Sequence, residues 1–295
     1  MLGFAVVLKH PIGSLAYLLI MLALASLWCN RKIWIWATLF ILSFLCAYYG
    51  DIASLRALVS LGIFLLSLLA LTQEVPSFIR MLIGIFTTSL ALAFFTHFVP
   101  GFKNIEFAHQ WSASKASLPM NIYLNYDKAT AALFILAFAV PLAQTSREWG
   151  LLLLKALPWS IFSCLVMLGL AFSLNMVAYD PKLPAISLLW LLRQIFFVVI
   201  PEEALFRGFI QKEITMGLNN SAAGILAVLL SALLYAFMHL LMIPSPAFFI
   251  MAFTAGVLYG SIYQLTSRIE AAILTHLIAN IVHFFFFSYP MLITQ

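Results

Sequence analysis

Charge is what this chain most lacks. Asp, Glu, Lys and Arg together make up 8% of its 295 residues, whereas a soluble domain carries about 25%. Hydrophobic residues make up 64%, and the mean hydropathy is +1.08. That inventory cannot cover the surface of a soluble globule, so the class is excluded. Cysteine is scarce as well. Cys29, Cys46 and Cys164 lie in separate apolar segments, are odd in number and lack metal-ligand spacing, which excludes a disulfide framework or a cysteine zinc site. No basic run exceeds Arg31-Lys32, so the net charge of +5 reflects cations scattered between apolar runs, as is usual beside membranes. No nucleic-acid partner is expected. The strict alternation of a transmembrane barrel is also missing.

Long apolar runs are there instead. With no water in the bilayer core, a spanning segment must satisfy its own backbone hydrogen bonds, and continuous apolar runs do so as helices. The expectation is an all-α polytopic membrane protein whose first partner is the lipid bilayer. A span needs about 20 mostly apolar residues. Candidate spans are 12–29, 33–50, 57–72, 81–99, 129–145, 157–178, 186–212, 221–241, 247–265 and 270–289. Segment 57–72 is short, and 144–156 fits an interfacial helix, so the count is about eight to ten. Lys9 followed by 12–29, with Ala23-Leu24-Ala25, allows a cleaved signal peptide. Trp28 and the spans that follow favour a retained first helix.

One interval differs in composition. Residues 101–128 carry Lys103, Glu106, His109, Gln110, Lys115, Asn121, Asn125 and Asp127, and read as the one sizeable extramembrane loop. Phe102, Phe107, Trp111 and Tyr123 would let it rest among lipid headgroups. It divides the chain into an N-terminal group of about four spans in 1–100 and a C-terminal group in 129–295. No inverted repeat of the transporter kind is evident. Basic residues fall almost evenly on both sides of the membrane, and the pattern specifies neither orientation nor oligomeric state.

The few charges inside apolar helices carry the chemistry. Pro201-Glu202-Glu203-Ala204-Leu205-Phe206-Arg207 follows the apolar run 195–200. A charge at the bilayer centre costs about 2.5–3.5 kcal/mol on insertion scales, so such charges are usually paired and functional. Pro201 lacks an N–H, and its ring collides with the carbonyl of Phe197, which predicts a kink or freed carbonyl just before the carboxylates. Glu203 and Arg207 are spaced i, i+4 and face each other. Glu202 points elsewhere and has no partner in its own helix. The pair reads as support and the spare carboxylate as reactive.

The later spans offer few polar groups. Three of the six histidines, His239, His276 and His283, lie there, with Asn280 four residues after His276. Ala252, Gly256 and Gly260 share a four-residue period, which lets neighbouring helices approach closely in lipid. Taken singly, each polar residue has a bland reading. His239 is then a hydrogen-bonded group near a helix end, Asn280 is interhelical glue and His283 is structural. Arg193 snorkels or caps a pocket and has no assigned role. The joint occurrence of Glu202, Glu203, Arg207, His239, His276 and Asn280 in apolar helices weighs against coincidence. A carboxylate, two imidazoles and a carboxamide form a hydrolytic set. Glu202 would take a proton from water that His239 orients, and His276 with Asn280 would donate to a tetrahedral oxyanion. The preferred mechanism requires no cofactor. Alternatively Glu202, His239 and His276 would hold a divalent metal such as zinc, leaving one position for water. The zinc-protease pattern His-Glu-x-x-His is absent.

Glu202-Glu203-x-x-x-Arg207, the motif ending in His239 and His276-x-x-x-Asn280, on successive helices, resemble the CPBP family. This group of intramembrane proteases includes the CAAX prenyl endopeptidases and the bacterial Abi proteins. The resemblance covers about 130–290 and implies a CPBP-like helical bundle in 129–295. It implies that Glu202 and His239 activate water, that His276 and Asn280 form the oxyanion site, and that Glu203 and Arg207 support them. It further implies an endopeptidase acting on a membrane-associated or lipid-modified protein or peptide. Phe253-x-x-Gly256 and Gly260 match the family's small-residue motif. Tyr235 departs from the pattern, which has Phe there, and its hydroxyl needs a partner. Short loops and the lack of appended domains fit a bacterial cell membrane. The competing classes are a non-catalytic bacteriocin-immunity or scaffold protein and a proton-coupled transporter.

Overall fold

In the computed structural model, which describes residues 11–218 and 222–293, the chain is helical around one short hairpin. The N-terminal helices are α1 (Pro11–Cys29), α2 (Ile33–Tyr49), α3 (Leu55–Ala70) and α4 (Ser77–Phe95). Strands β1 (Ile105–Trp111) and β2 (Met120–Leu124) then pair antiparallel. Helices α5 (Tyr126–Phe138) and α6 (Ser146–Ser173) follow. A single helical rod over 187–218 comprises α7 (Ser187–Arg193), a π-helical stretch Gln194–Val199, α8 (Ile200–Glu203), a second π-helical stretch Ala204–Gln211 and α9 (Lys212–Leu218). The last helices are α10 (Ala223–Met242), α11 (Pro246–Thr266) and α12 (Ile269–Phe286). Lys9, which figures in the sequence reading, lies outside the described residues.

Among the described residues six helices are long and apolar enough to cross a membrane, namely α1, α4, α6, α10, α11 and α12, while α2 and α3 are shorter apolar helices. Outward-facing Trp34, Ile41 and Leu45 on α2, and Leu154, Ile161 and Leu165 on α6, are exposed, as a lipid-facing surface requires. This is a multi-pass helical membrane protein.

Two expected elements take a different form. Segment 129–145 is helical only as part of the 13-residue α5. At about 1.5 Å per residue that helix is some 20 Å long, short of the roughly 30 Å hydrocarbon core. Residues 126–136 are all buried, so α5 is an axis of the protein interior and not a lipid-facing span. Its last turn leaves carbonyls without intrahelical donors. Arg31 Nη2 donates to the carbonyls of Leu136, Ala137 and Val140 at 3.0, 3.1 and 3.0 Å, and Lys212 Nζ donates to that of Ala139 at 2.7 Å. Segment 144–156 is likewise no separate interfacial helix. It is the start of the 28-residue α6, opened by a Thr145–Glu148 capping box and tied to α12 by Arg268 Nη2 on Glu148 Oε1 at 2.5 Å.

The interval 101–128 also has more structure than a loop. Phe107 is buried with Ala108, Ile122 and Ile186, and Trp111 stacks on Phe284 at 6.3 Å. Phe102 packs on Phe94 and Tyr126, and only Tyr123 of the four aromatics is substantially exposed. Rings expected among headgroups therefore mostly pack on protein. Although the hairpin separates the two helix groups in sequence, one hydrophobic cluster joins them, running from Ala16 through α5 to Ala272. Tyr17 of α1 meets Tyr126 edge-on at 5.7 Å and donates its hydroxyl to the Leu124 carbonyl at 2.9 Å.

The small residues of α11 do what their spacing predicts. A Cβ on Gly256 would fall 2.8 Å from the Ala232 Cα of α10, and one on Gly260 would fall 2.9 Å from Gln211 Oε1. Backbones at that separation leave no room for a side chain, and this closeness brings the rod, α10 and α11 together around the charges.

Candidate active site

The rod positions the two glutamates. Ile200 N–H bonds to the Ile195 carbonyl, five residues back, so the helix widens just before Pro201. The wider turn accommodates a residue that has no N–H and would otherwise press its ring on the preceding turn. Glu202 and Glu203 follow at once in α8, and Arg207 lies in the second π-helical stretch.

Glu203 and Arg207 are both fully buried, and Arg207 Nη1 donates to Glu203 Oε1 at 3.1 Å. Arg207 Nη2 donates to the Gly256 carbonyl at 3.1 Å, a contact that requires the bare glycine backbone. The guanidinium also lies 4.8 Å from the Tyr235 ring centre and 5.5 Å from that of Tyr259, close enough for cation–π attraction. His276 Nδ1 stands 2.7 Å from the same Glu203 oxygen, and its ring stacks on Tyr259 at 4.6 Å and 18°. A charged carboxylate can only accept, so Nδ1 carries the proton and Nε2 is the free position. Glu203 thus orients His276 as well as binding Arg207. Glu203 Oε2 and Arg207 Nε have no hydrogen-bond partner among the described residues, so the centre carries a desolvation cost that packing alone would not demand.

Glu202 faces another way. Its Oε2 accepts from the Tyr235 hydroxyl at 3.1 Å, which supplies the partner that hydroxyl needed. His239 Nε2 lies 4.0 Å from the same oxygen, beyond direct hydrogen-bond range. His239 Nδ1 donates to the Tyr235 carbonyl at 2.8 Å, which leaves Nε2 as the nitrogen turned toward Glu202. Asn280 Nδ2 donates to Gln194 Oε1 at 3.4 Å. Gln194 in turn donates to the Tyr289 hydroxyl at 3.0 Å.

Glu202, His239, His276 and Asn280 all line one cavity of 540 Å³. Glu203 and Arg207 stand behind its wall. Met167, Met176 and Met251 give the cavity an apolar side, and Met120 and Asn121 of the hairpin close part of it. The four polar residues predicted to work together therefore share a space, and the predicted supporting pair backs them. The predicted grouping of His276 with Asn280 is a shared wall and not a mutual hydrogen bond. As to a metal, no group of three His, Cys, Asp or Glu side chains gathers as a ligand set among the described residues. Nδ1 of His276 is held by Glu203 while its Nε2 stays free, and Glu202 and His239 stand 4.0 Å apart.

Sequence reasoning missed several cavity residues. Lys128 reads as a loop cation but is buried near the start of α5 and lines the cavity; Gln194, Tyr259 and Tyr289 line it too, beside Arg193, which reads as snorkelling or capping a pocket. The signal for Lys128 was its place directly before the apolar run 129–140, where a lysine enters a span. Gln194 carried none.

Tyr235→Phe introduces the residue usual at this position in the resembled family and removes one hydrogen bond to Glu202. A net loss of about 1 kcal/mol is typical, so a reaction that depends on Glu202 should change by less than about tenfold in the variant. Steady-state kinetics on purified protein would check it, and a larger change would make Tyr235 part of the chemistry.

The fold and cavity define a multi-pass membrane protein with a buried glutamate–histidine–arginine centre open to an internal space. Residues 184–282 match the family model described as Rce1-like, Type II CAAX prenyl endopeptidase. The matched stretch is similar to an Rce1-like domain and contains all six residues singled out above. No curated protein and no solved structure matches the chain.

Proposed function

We propose that this protein is an integral-membrane endopeptidase that hydrolyses a peptide bond of a membrane-associated or lipid-modified protein or peptide. One observation carries the reading. Among the described residues Glu202 is the only carboxylate lining the cavity, it is not neutralised by Arg207, and His239, His276 and Asn280 share its walls. A water between Glu202 Oε2 and His239 Nε2 would hydrogen-bond to both. Glu202 accepts its proton as the oxygen adds to the peptide carbonyl carbon. Asn280 Nδ2 and the protonated His276 ring donate to the resulting oxyanion. Because Nδ1 of His276 already donates to Glu203, donation from Nε2 requires the imidazolium form. The C–N bond then breaks, the leaving amine takes the proton held by Glu202 with His239 assisting, and a carboxylic acid and an amine are the products.

No step is routed through a metal; a zinc on Glu202, His239 and His276 would take the Nε2 of each histidine, with Glu203 holding Nδ1 of His276 behind it. Under the metal-free mechanism the chelator 1,10-phenanthroline is expected to leave the rate unchanged. The proposed home is a bacterial cell membrane.

The test is direct. Protein in liposomes is given prenylated and unmodified peptide libraries in heavy-oxygen water, and mass spectrometry finds new termini. Label in the new carboxyl group is expected. Folded protein that generates no new termini, or whose cleavage chelation abolishes, would overturn the mechanism.

A further inference from the structure

We propose that Lys128 and Arg193 form an anion subsite in this cavity that takes a carboxylate of the substrate. The subsite rests on the endopeptidase reading for the identity of its ligand, a peptide. Lys128 is 6% exposed and sits in the first turn of α5, the end of a helix where a cation is disfavoured by the macrodipole. Its ammonium lies 5.6 Å from the Phe95 ring centre and is attracted by Glu202 and Asp127. Among the described residues no acceptor lies within hydrogen-bond distance of it. Asp127 is already committed. Its Oδ2 binds His97 Nδ1 at 2.6 Å and Asn104 Nδ2 at 3.0 Å, and its Oδ1 accepts the Lys128 backbone N–H at 2.8 Å. Packing does not explain a buried lysine that lacks an acceptor at the unfavourable end of a helix.

Arg193 supplies the second cation. It closes α7, and its Nε donates to the Tyr123 carbonyl at 3.0 Å, which fixes the guanidinium against the hairpin. Both cations line the cavity, and among the described residues Glu202 is the single carboxylate that does so. Lys128 and Arg193 charged against one ionised Glu202 leave the walls with a positive excess before any histidine is counted, which a substrate carboxylate offsets. A guanidinium and an ammonium lining the same cavity suit a carboxylate, which accepts charge-assisted hydrogen bonds on both oxygens. In a peptide that group is the free C-terminus or an Asp or Glu side chain.

The test uses immobilised full-length Glu202→Gln protein, so that bound peptides survive. Three short apolar peptide libraries are applied, one with free carboxyl termini, one C-terminally amidated, and one amidated with a single internal glutamate. Retained peptides are counted by mass spectrometry. At least one carboxylate library should be retained about tenfold over the neutral amides, as a charge-assisted hydrogen bond allows, and comparison of the two identifies the source. Adding Lys128→Met should abolish the preference and adding Lys128→Arg should restore it, with Arg193→Gln as the second variant if Lys128→Met does not fold. Equal retention of acids and amides, a preference that survives Lys128→Met, displacement by phosphatidylglycerol alone, or no retention above bare resin would each overturn the subsite. Acid-selective retention by a protein whose Glu202 form cleaves nothing would instead sink only the endopeptidase reading.

Discussion

Glu202→Gln is expected to lower peptide hydrolysis by about 10²–10⁴-fold, the usual contribution of general base catalysis, with the fold retained. Glutamine matches the shape of glutamate and can still accept the Tyr235 hydroxyl bond seen at 3.1 Å. It cannot take a proton from water at neutral pH. Glu202 is also not in the Glu203–Arg207 pair, so its neutralisation leaves no buried cation newly unpaired in that pair. The measurement is kcat/KM on purified protein beside a thermal unfolding curve. An undiminished rate would remove Glu202 from the chemistry. The same variant separates the competing classes. A non-catalytic immunity or scaffold protein would work normally in cells with an uncharged amide in place of that carboxylate, and a proton-coupled transporter would lose flux without ever having cleaved peptide.

The second large effect is on stability. Arg207→Met should destabilise the protein by about 3–5 kcal/mol, the cost of removing one partner from a buried ion pair. Methionine is long and apolar enough to fill much of the volume. The damage comes from what it leaves behind, namely Glu203 ionised and buried and the Gly256 carbonyl without the donor it had at 3.1 Å. Glu203→Gln with Arg207→Met removes both charges and should recover part of the loss. Glu203→Gln also weakens the contact that orients His276 at 2.7 Å, so the double variant should regain stability and not activity. Denaturation midpoints for the three proteins, read with their rates, would check this. Equal destabilisation in single and double variants would mean that packing, and not charge pairing, governs the site.

Much of this was legible along the chain. Apolar composition determined helices in a membrane, because a backbone in lipid has few other ways to satisfy its hydrogen bonds. The four-residue spacing of Glu203 and Arg207 determined their pairing, and Pro201 determined an irregular helix at that point. These are local properties, and each follows from the periodicity of one helix. The small-residue period of α11 was of the same kind, since bare backbone announces close approach.

What the sequence could not show depends on residues distant along the chain. Glu203 and His276 are 73 residues apart, and only the packing of α12 against the rod made the glutamate the partner of both His276 and Arg207. The Tyr235 hydroxyl found Glu202 for the same reason. Helix α5 carries enough apolar residues to pass for a span, and only the helices around it made it interior and drew Lys128 to the cavity. Pro201–Arg207 by itself separated a supporting pair from a free carboxylate. Tertiary structure decided what that carboxylate faces, because one helix sets the direction of its side chains and its neighbours set what lies there.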